Sequence, residues 1–351
     1  MKPGRAALVV AALNLAVPAT ARAFPDALGP RATAMGDAGH GDARATDALR
    51  LNPAGMSLAS LYNVTGDYQL ITRSGGQVLN VAVADSTSEF RVGGGLYYGY
   101  RSAAPAGLPQ LGAHEAGLAL SYPFADRVFL GGTLKYLHVS NGAEPDGSAT
   151  HGGFTADVGL ALKPAPGITI GVTGHNLRDL STIQAPVALG YGVALAAGGN
   201  LTIVADALHD FTTSDPSRGV RTSLGGGAEL VLKDRVAFRA GGGHDGGARG
   251  PAAGYVSGGI AAISELGALD LGVRQDITGD HKVTTVVVGL RLFVEVPQPT
   301  QGPGTPTPGP FSRPSSSSPA SELLGTQSSG SPPAASPGPT TTSPAPAPDI
   351  H

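Results

Sequence analysis

Few residue types in this chain can carry chemistry, and those that can are widely spaced. There is no cysteine, which excludes thiolate nucleophiles, thiolate metal sites and disulfides. Among the histidines, His138 has the most suggestive neighbour, because it stands two residues before Ser140 in the stretch HVSNG. In an extended strand, residues i and i+2 share a face, near enough for an imidazole to activate a hydroxyl. His138 and Ser140 are therefore candidate catalytic residues, as base and nucleophile. The competing reading is a plain interfacial strand, with Tyr136 and His138 as amphipathic belt residues. Asp206 and His209 are an odd number of residues apart, which puts them on opposite faces of a strand. His114, His151, His244 and His281 fall near loops without the helical i, i+4 or Cys-rich spacing of a metal site, and read as solvated. No metal and no cofactor is expected. The glycine clusters GGGLYYG and LGGGAEL are not phosphate loops, since no helix pattern follows them. Close packing against an inner segment explains them more simply.

The elements that would position these residues are strands. The first residues, with Lys2, Arg5, a short apolar run and Ala21-Arg22-Ala23, read as a secretory signal peptide over 1–23, so that the mature chain starts near Phe24. No later segment has about 18 consecutive apolar residues, which excludes an ordinary helical membrane protein. The chain carries 23 basic and 26 acidic residues, and removing the three basic residues of the leader leaves 20 against 26, net −6. That balance offers no footprint for nucleic acid. With 53 glycines, no tryptophan and few charges, the composition suits a β-rich protein.

From Tyr62 to Val294 one theme recurs: about ten residues of alternating or small-apolar character, then a turn signal, some fourteen times. The even-numbered connections are tight, such as AD, PAP, GGN and KD. Most odd-numbered ones are longer and more polar, such as SNGAEPDGSATHG and RDLSTIQA. An up-and-down membrane barrel with short periplasmic turns and longer external loops has that asymmetry, and an even strand count puts both termini on the periplasmic side. In VFLGGTLKYLHV the alternation sets Val128, Leu130, Leu134 and Tyr136 toward lipid, with Thr133 and Lys135 inward. In the last strand Val286, Val288, Leu290, Leu292 and Val294 face lipid, with Thr285 and Arg291 opposite. The expected fold is all-β: a 14-stranded antiparallel transmembrane β-barrel over 62–296. An N-terminal luminal plug over 24–61 precedes it, and a disordered Pro/Ser/Thr-rich periplasmic tail over 297–351 follows it.

Immediately before the first strand stands DALRLNPAGMSLASL, in which Asn52 can cap a turn, Pro53 suits its first position and Gly55 relaxes the backbone. Together with the preceding LGPRATAMGDAGHGDARAT, this stretch resembles the amino-terminal signature of the FadL-like outer-membrane barrels, including their PorV-type branch. LALKPAPGITIGVTGHNLRDLSTIQAPVALGYGVAL and FRAGGGHD extend the resemblance over roughly Leu28 to Val294. It implies a luminal plug carried on Arg31, Gly36, Asp47, Asn52, Pro53, Ala54 and Gly55, with Asp47 and Arg50 able to pair with charges of the lumen. It also implies passive outer-membrane transport of hydrophobic solutes such as long-chain fatty acids. The alternative it implies is a PorV-type surface adaptor or secretion component holding a secreted protein. The partners implied are outer-membrane lipids, a hydrophobic small molecule and, through the terminal GLRLFV, the barrel assembly machinery. HVSNG is similar to the His-x-Ser-Asn motif of outer-membrane phospholipases and lipid A deacylases, which leaves a lipid hydrolase at His138 and Ser140 as the minor alternative to a non-enzyme.

Overall fold

The computed structural model describes residues 27–72, 75–88, 92–103, 111–140, 150–182, 184–211, 220–246, 252–279 and 282–294. The expected signal peptide, the expected tail and His281 lie outside these residues. Two short helices, α1 (Pro30–Ala34) and α2 (Ala45–Leu51), and a 3-10 turn (Pro53–Leu58) precede fourteen strands. These are β1 (Tyr62–Ile71), β2 (Gly76–Asp85), β3 (Gly93–Ala103), β4 (Leu111–Ala125), β5 (Val128–Ser140), β6 (Thr150–Ala165) and β7 (Ile168–His175). They continue as β8 (Ala188–Ala197), β9 (Leu201–Asp210), β10 (Arg221–Leu232), β11 (Val236–Asp245), β12 (Ala253–Ile263), β13 (Gly267–Asp276) and β14 (Thr284–Phe293).

Each strand pairs antiparallel with its neighbours in sequence, and β1 pairs with β14 from Asn63↔Phe293 to Ile71↔Thr285, so the sheet closes without an edge. Closure matters because an unpaired edge could not be satisfied in lipid. The side-chain period of two sorts each strand into an inner and an outer row. Leu130, Leu134, Leu290 and Leu292 are exposed on the outside, whereas Thr133, Lys135, Thr285 and Arg291 are buried inside. A one-residue slip would turn Arg291 into lipid and Leu290 into the lumen, so burial fixes the register. The two register shifts, between Pro123 and Ala125 and between Leu162 and Ala165, each hold a proline, whose missing N–H would otherwise cost a ladder bond.

Two details depart from the sequence reading. The β7–β8 connection, expected to project outward, folds back along β6: the Leu177 N–H donates to the Ala156 carbonyl (2.8 Å) and the Thr155 hydroxyl to the Arg178 carbonyl (2.9 Å). It does so because β7 stops eight residues after it begins, and β6 then needs another partner. Leu180 and Ala185 of this connection pack with Ala103, Leu137 and Val139. His114 lies within β4 rather than near a loop, its ring accepting from or donating to the Tyr98 hydroxyl at 2.7 Å and stacking 4.8 Å from Tyr100. With Tyr136 and Phe154 it forms part of an aromatic belt on the outer surface.

Candidate functional site

A fourteen-strand barrel is too wide for its own side chains to fill. Here residues 27–61 occupy the interior, and their apolar side chains, including Met35, Leu49, Ala54 and Met56, are among the most buried in the molecule. The inner wall is stripped of side chains where this segment touches it. A Cβ at Gly225 would meet the Gly36 carbonyl, at Gly227 the Met35 backbone, and at Gly131 the backbone of Pro53 and Ala54. The glycine clusters of the sequence are therefore contact surfaces for the inner segment.

Each residue of the amino-terminal signature has a definite place. Arg31 is buried and reaches Glu229 on β10 (Nη2 to Oε1, 2.9 Å) and Asp42 of its own segment (2.6 Å). Burial works against its charge, but Glu229 and Asp42 outweigh it and hold the guanidinium pKa well above the ordinary arginine value. Glu229 passes the contact on to Arg239 (2.6 Å), Arg239 to Asp270 (2.7 Å), and Asp270 to Arg291 (3.4 Å), tying the segment to β10, β11, β13 and β14. Gly36 has φ +74°, and a Cβ there would stand 2.4 Å from the Gly226 carbonyl, so only glycine suits it. Its N–H donates to the Ser257 hydroxyl and its carbonyl accepts from Tyr255.

Asn52 is fully buried. Its side-chain Oδ1 accepts from the Ala54 N–H (3.2 Å), capping the 3-10 turn as its type suggests, while its side-chain Nδ2 donates to the backbone carbonyls of His40 (3.1 Å) and Leu160 (3.0 Å). Pro53 packs over Gly159, and Gly55 is required because a Cβ would lie 2.0 Å from the Ala43 carbonyl. Arg50 does pair with the wall: it donates to Glu115 (3.0 Å) and Asn80 (3.2 Å) and lies over the Tyr97 ring at 4.2 Å. Asp47 stands beside Asp67 and within electrostatic reach of Arg31 and Arg291.

On the opposite side the segment meets the wall through histidines. Asp206 Oδ2 accepts the backbone N–H groups of Gly39 (2.6 Å) and His40 (2.7 Å) and stands 2.7 Å from His40 Nδ1. His40 Nε2 is 3.0 Å from His175 Nε2, whose ring continues to Asp157 (3.4 Å) and from there to Lys135 (2.6 Å). Above the inner segment lies a cavity of about 240 Å³. Arg50, Arg101, Glu115, Lys135, Asp157 and both histidines line it, together with Leu28, Leu51, Ile71 and Leu137.

The candidate hydrolase pair is not assembled. His138 and Ser140 share the outer face, but Ser140 Oγ donates to the Gly112 carbonyl (3.3 Å), and His138 faces the His114 ring 6.4 Å away. Asp206 and His209 do point to opposite faces: Asp206 faces the lumen, and His209 bonds Tyr191 and Thr222 outside. The sequence reading did not single out Asp42, Glu229, Arg239 and Asp270, nor His40 and His175. For Glu229, Arg239, Asp270 and His175 the available signal was an inward phase in strands whose alternating neighbours face lipid, whereas Asp42 and His40 lie in the inner segment, where no such phase exists.

These features define a class: a closed fourteen-strand antiparallel β-barrel whose own N-terminal segment lies in its interior. More narrowly, the chain has the barrel fold of the FadL-like outer-membrane channels. Its structure superposes on the Pseudomonas putida toluene transporter TodX with TM-score 0.58 and 13% identity, over 79% of this chain and 100% of that one. A Pseudomonas aeruginosa FadL homologue matches with TM-score 0.57 and 12% identity, over 78% of this chain and 99% of that one. The CymD monoaromatic hydrocarbon channel matches with TM-score 0.55 and 12% identity, over 75% and 96%. No protein-family model and no curated protein matches the sequence. Of these fold neighbours, TodX is named as a toluene transporter and CymD as a monoaromatic hydrocarbon channel.

Proposed function

We propose that the chain is a passive outer-membrane channel for small hydrophobic molecules, with residues 27–61 as its movable plug. The observation that carries this reading is the inner segment itself, which packs against the inner wall of the barrel beneath a cavity of about 240 Å³. That volume suits one small solute, since ligand pockets for larger molecules run from about 300 to 1,000 Å³. The likeness to channels named for toluene and monoaromatic hydrocarbons supports an apolar cargo.

On this reading a solute passes from the outer end, by the apolar cluster of Ala103, Leu137, Val139, Leu180 and Ala185, into the cavity. There it meets a floor of paired charges. An apolar molecule cannot replace the partners of those charges, so it goes no further until the plug shifts. The signature residues Arg31, Gly36, Asp47, Asn52, Pro53, Ala54 and Gly55 serve as the plug's fixing points. No energy input is needed, because the solute runs down its own gradient.

The test is entry of a labelled apolar solute into proteoliposomes holding the purified protein. Wild type should accelerate entry over empty vesicles, and an Asn52→Ala variant that still inserts should change the rate. Equal rates for all three would overturn the reading. The PorV-type adaptor reading would instead be supported by stoichiometric capture of a secreted protein with no solute entry.

A further inference from the structure

The contact between plug and wall at β6–β9 contains something that passive carriage alone does not require. Asp206, His40, His175, Asp157 and Lys135 form one continuous line from β9 through the plug to β7, β6 and β5. Counting protons along it leads to a definite conclusion.

Asp206 already accepts two backbone N–H groups on the oxygen that faces His40, so it acts as an ionised acceptor. Asp157 is ion-paired with Lys135 and accepts the Asn176 N–H (2.8 Å), so it too is an ionised acceptor. An ionised carboxylate has no hydrogen to give, hence each imidazole Nδ1 facing one carries the hydrogen itself. A neutral imidazole protonated at Nδ1 presents a bare lone pair at Nε2. Two neutral rings would then oppose two lone pairs across the 3.0 Å that separates the Nε2 atoms. One additional proton turns that repulsion into a charge-assisted N–H···N bond.

We propose that the closed plug holds one proton shared between His40 and His175, and that this proton latches the plug to the wall. The inference rests on the plug acting as the channel's gate and names how that gate is regulated. In the closed seam a first proton relieves the repulsion between the two facing lone pairs, which separated rings do not have, whereas a second would set two N–H groups and two positive charges against each other. By linkage, closure is strongest where separated rings would carry one proton between them, and weakens both above and below that pH. For ordinary imidazoles this lies between about pH 5 and 8.

The charged groups facing the pair are Asp206 from β9, Asp157 from β6 and Lys135 from β5. From β8 comes Gly190, where a Cβ would lie 2.1 Å from His40 Nε2, so the missing side chain makes room for the ring. The plug's own Asn52 holds the His40 carbonyl. Both rings line the cavity, so the latch sits where a solute waits.

The chain has no cysteine, so a single thiol can report plug opening in the full-length protein. Ala38, buried beside Met35, is the position for it. With Ala38→Cys, the reaction rate with a small maleimide, normalised at each pH to a free cysteine peptide, should pass through a minimum. From there it should climb toward both acid and alkali, by at most about tenfold per pH unit, the limit for exchange of one proton. Adding His175→Gln should flatten the profile, while adding Gly190→Ala should give fast reaction at every pH with all titrating groups in place. Nitrogen NMR of histidine-labelled wild type should show one proton coupled to both Nε2 nitrogens. A flat wild-type profile, an unchanged profile in His175→Gln, or two rings titrating independently in the NMR would each overturn the latch. If the minimum and the shared proton are found but proteoliposomes admit no apolar solute at any pH, the latch stands and the channel reading fails. Solute entry past a plug of pH-independent reactivity is the reverse case.

Discussion

The inner segment, the proposed plug, is held by two seams of opposite chemistry. Toward β10–β14 it is fixed by arginine and carboxylate groups: Arg31, Glu229, Arg239, Asp270 and Arg291, with Pro30 lying against Gly272 and Gly289. Toward β6–β9 it is fixed by His40 against Asp206 and His175. Arginine stays charged throughout the physiological range, whereas histidine is the side chain that changes charge within it. The first seam is thus an anchor and the second is adjustable. A plug that opens would do so by leaving the histidine side first and turning about the arginine side. If the inner segment is the gate proposed above, stability and gating rest on different residues.

The largest way to break that contrast is at the anchor. Glu229→Ala leaves Arg31 and Arg239 buried without their shared partner, and removing one partner of a buried pair costs about 3–5 kcal/mol. Urea unfolding in detergent should show it, together with leak conductance in bilayers; retention of wild-type stability would mean that the network does not hold the plug. Next is Gly36→Val, which forces a branched side chain into a left-handed backbone and against the Gly226 carbonyl, at a cost on the order of 1–3 kcal/mol from backbone strain alone. The plug should detach locally while the barrel persists, which proteolysis of the plug would reveal. Asn52→Ala removes bonds to both the plug and β6. The buried His40 and Leu160 carbonyls left behind should cost about 1–3 kcal/mol, and leak should increase, with a smaller effect than at Glu229. The smallest effect is expected at Ser140→Ala. Its hydroxyl bonds only the Gly112 carbonyl among its described contacts, so stability should stay within about 0.5 kcal/mol and lipid turnover should be unaltered. Loss of a lipid hydrolysis activity in that variant would restore the enzyme reading.

The two seams were unequally legible in the sequence. Strand phase was plain: alternation alone set Lys135 and Arg291 inward, because a lipid-facing row and a lumen-facing row differ in every second residue. The need for glycine at 55 and the capping role of Asn52 also lay close to the surface of the signature stretch. What periodicity does not encode is which inward residues meet. Arg31 and Glu229 are 198 residues apart, and His40 and Asp206 are 166 apart. Asp206 drew notice beside His209, its neighbour in sequence, although the two point to opposite sides of the wall. Its partner was a plug histidine that closure of the barrel brings to it. The folded-back β7–β8 connection was hidden for a related reason: its polar composition suits a solvated loop as well as one bonded to an abandoned strand edge.

If movement of the inner segment admits the solute, stapling that segment to the wall should stop entry. Ala38 and Val204 pack in the same cluster between plug and β9, and the chain offers no competing thiol. Cysteines at both positions, joined by a short bifunctional reagent, should staple the plug shut, and uptake of an apolar solute by proteoliposomes would then be compared before and after the linker is cleaved. Stapled protein should behave like empty vesicles, and cleavage should restore entry. Equal uptake by stapled and released protein would contradict this.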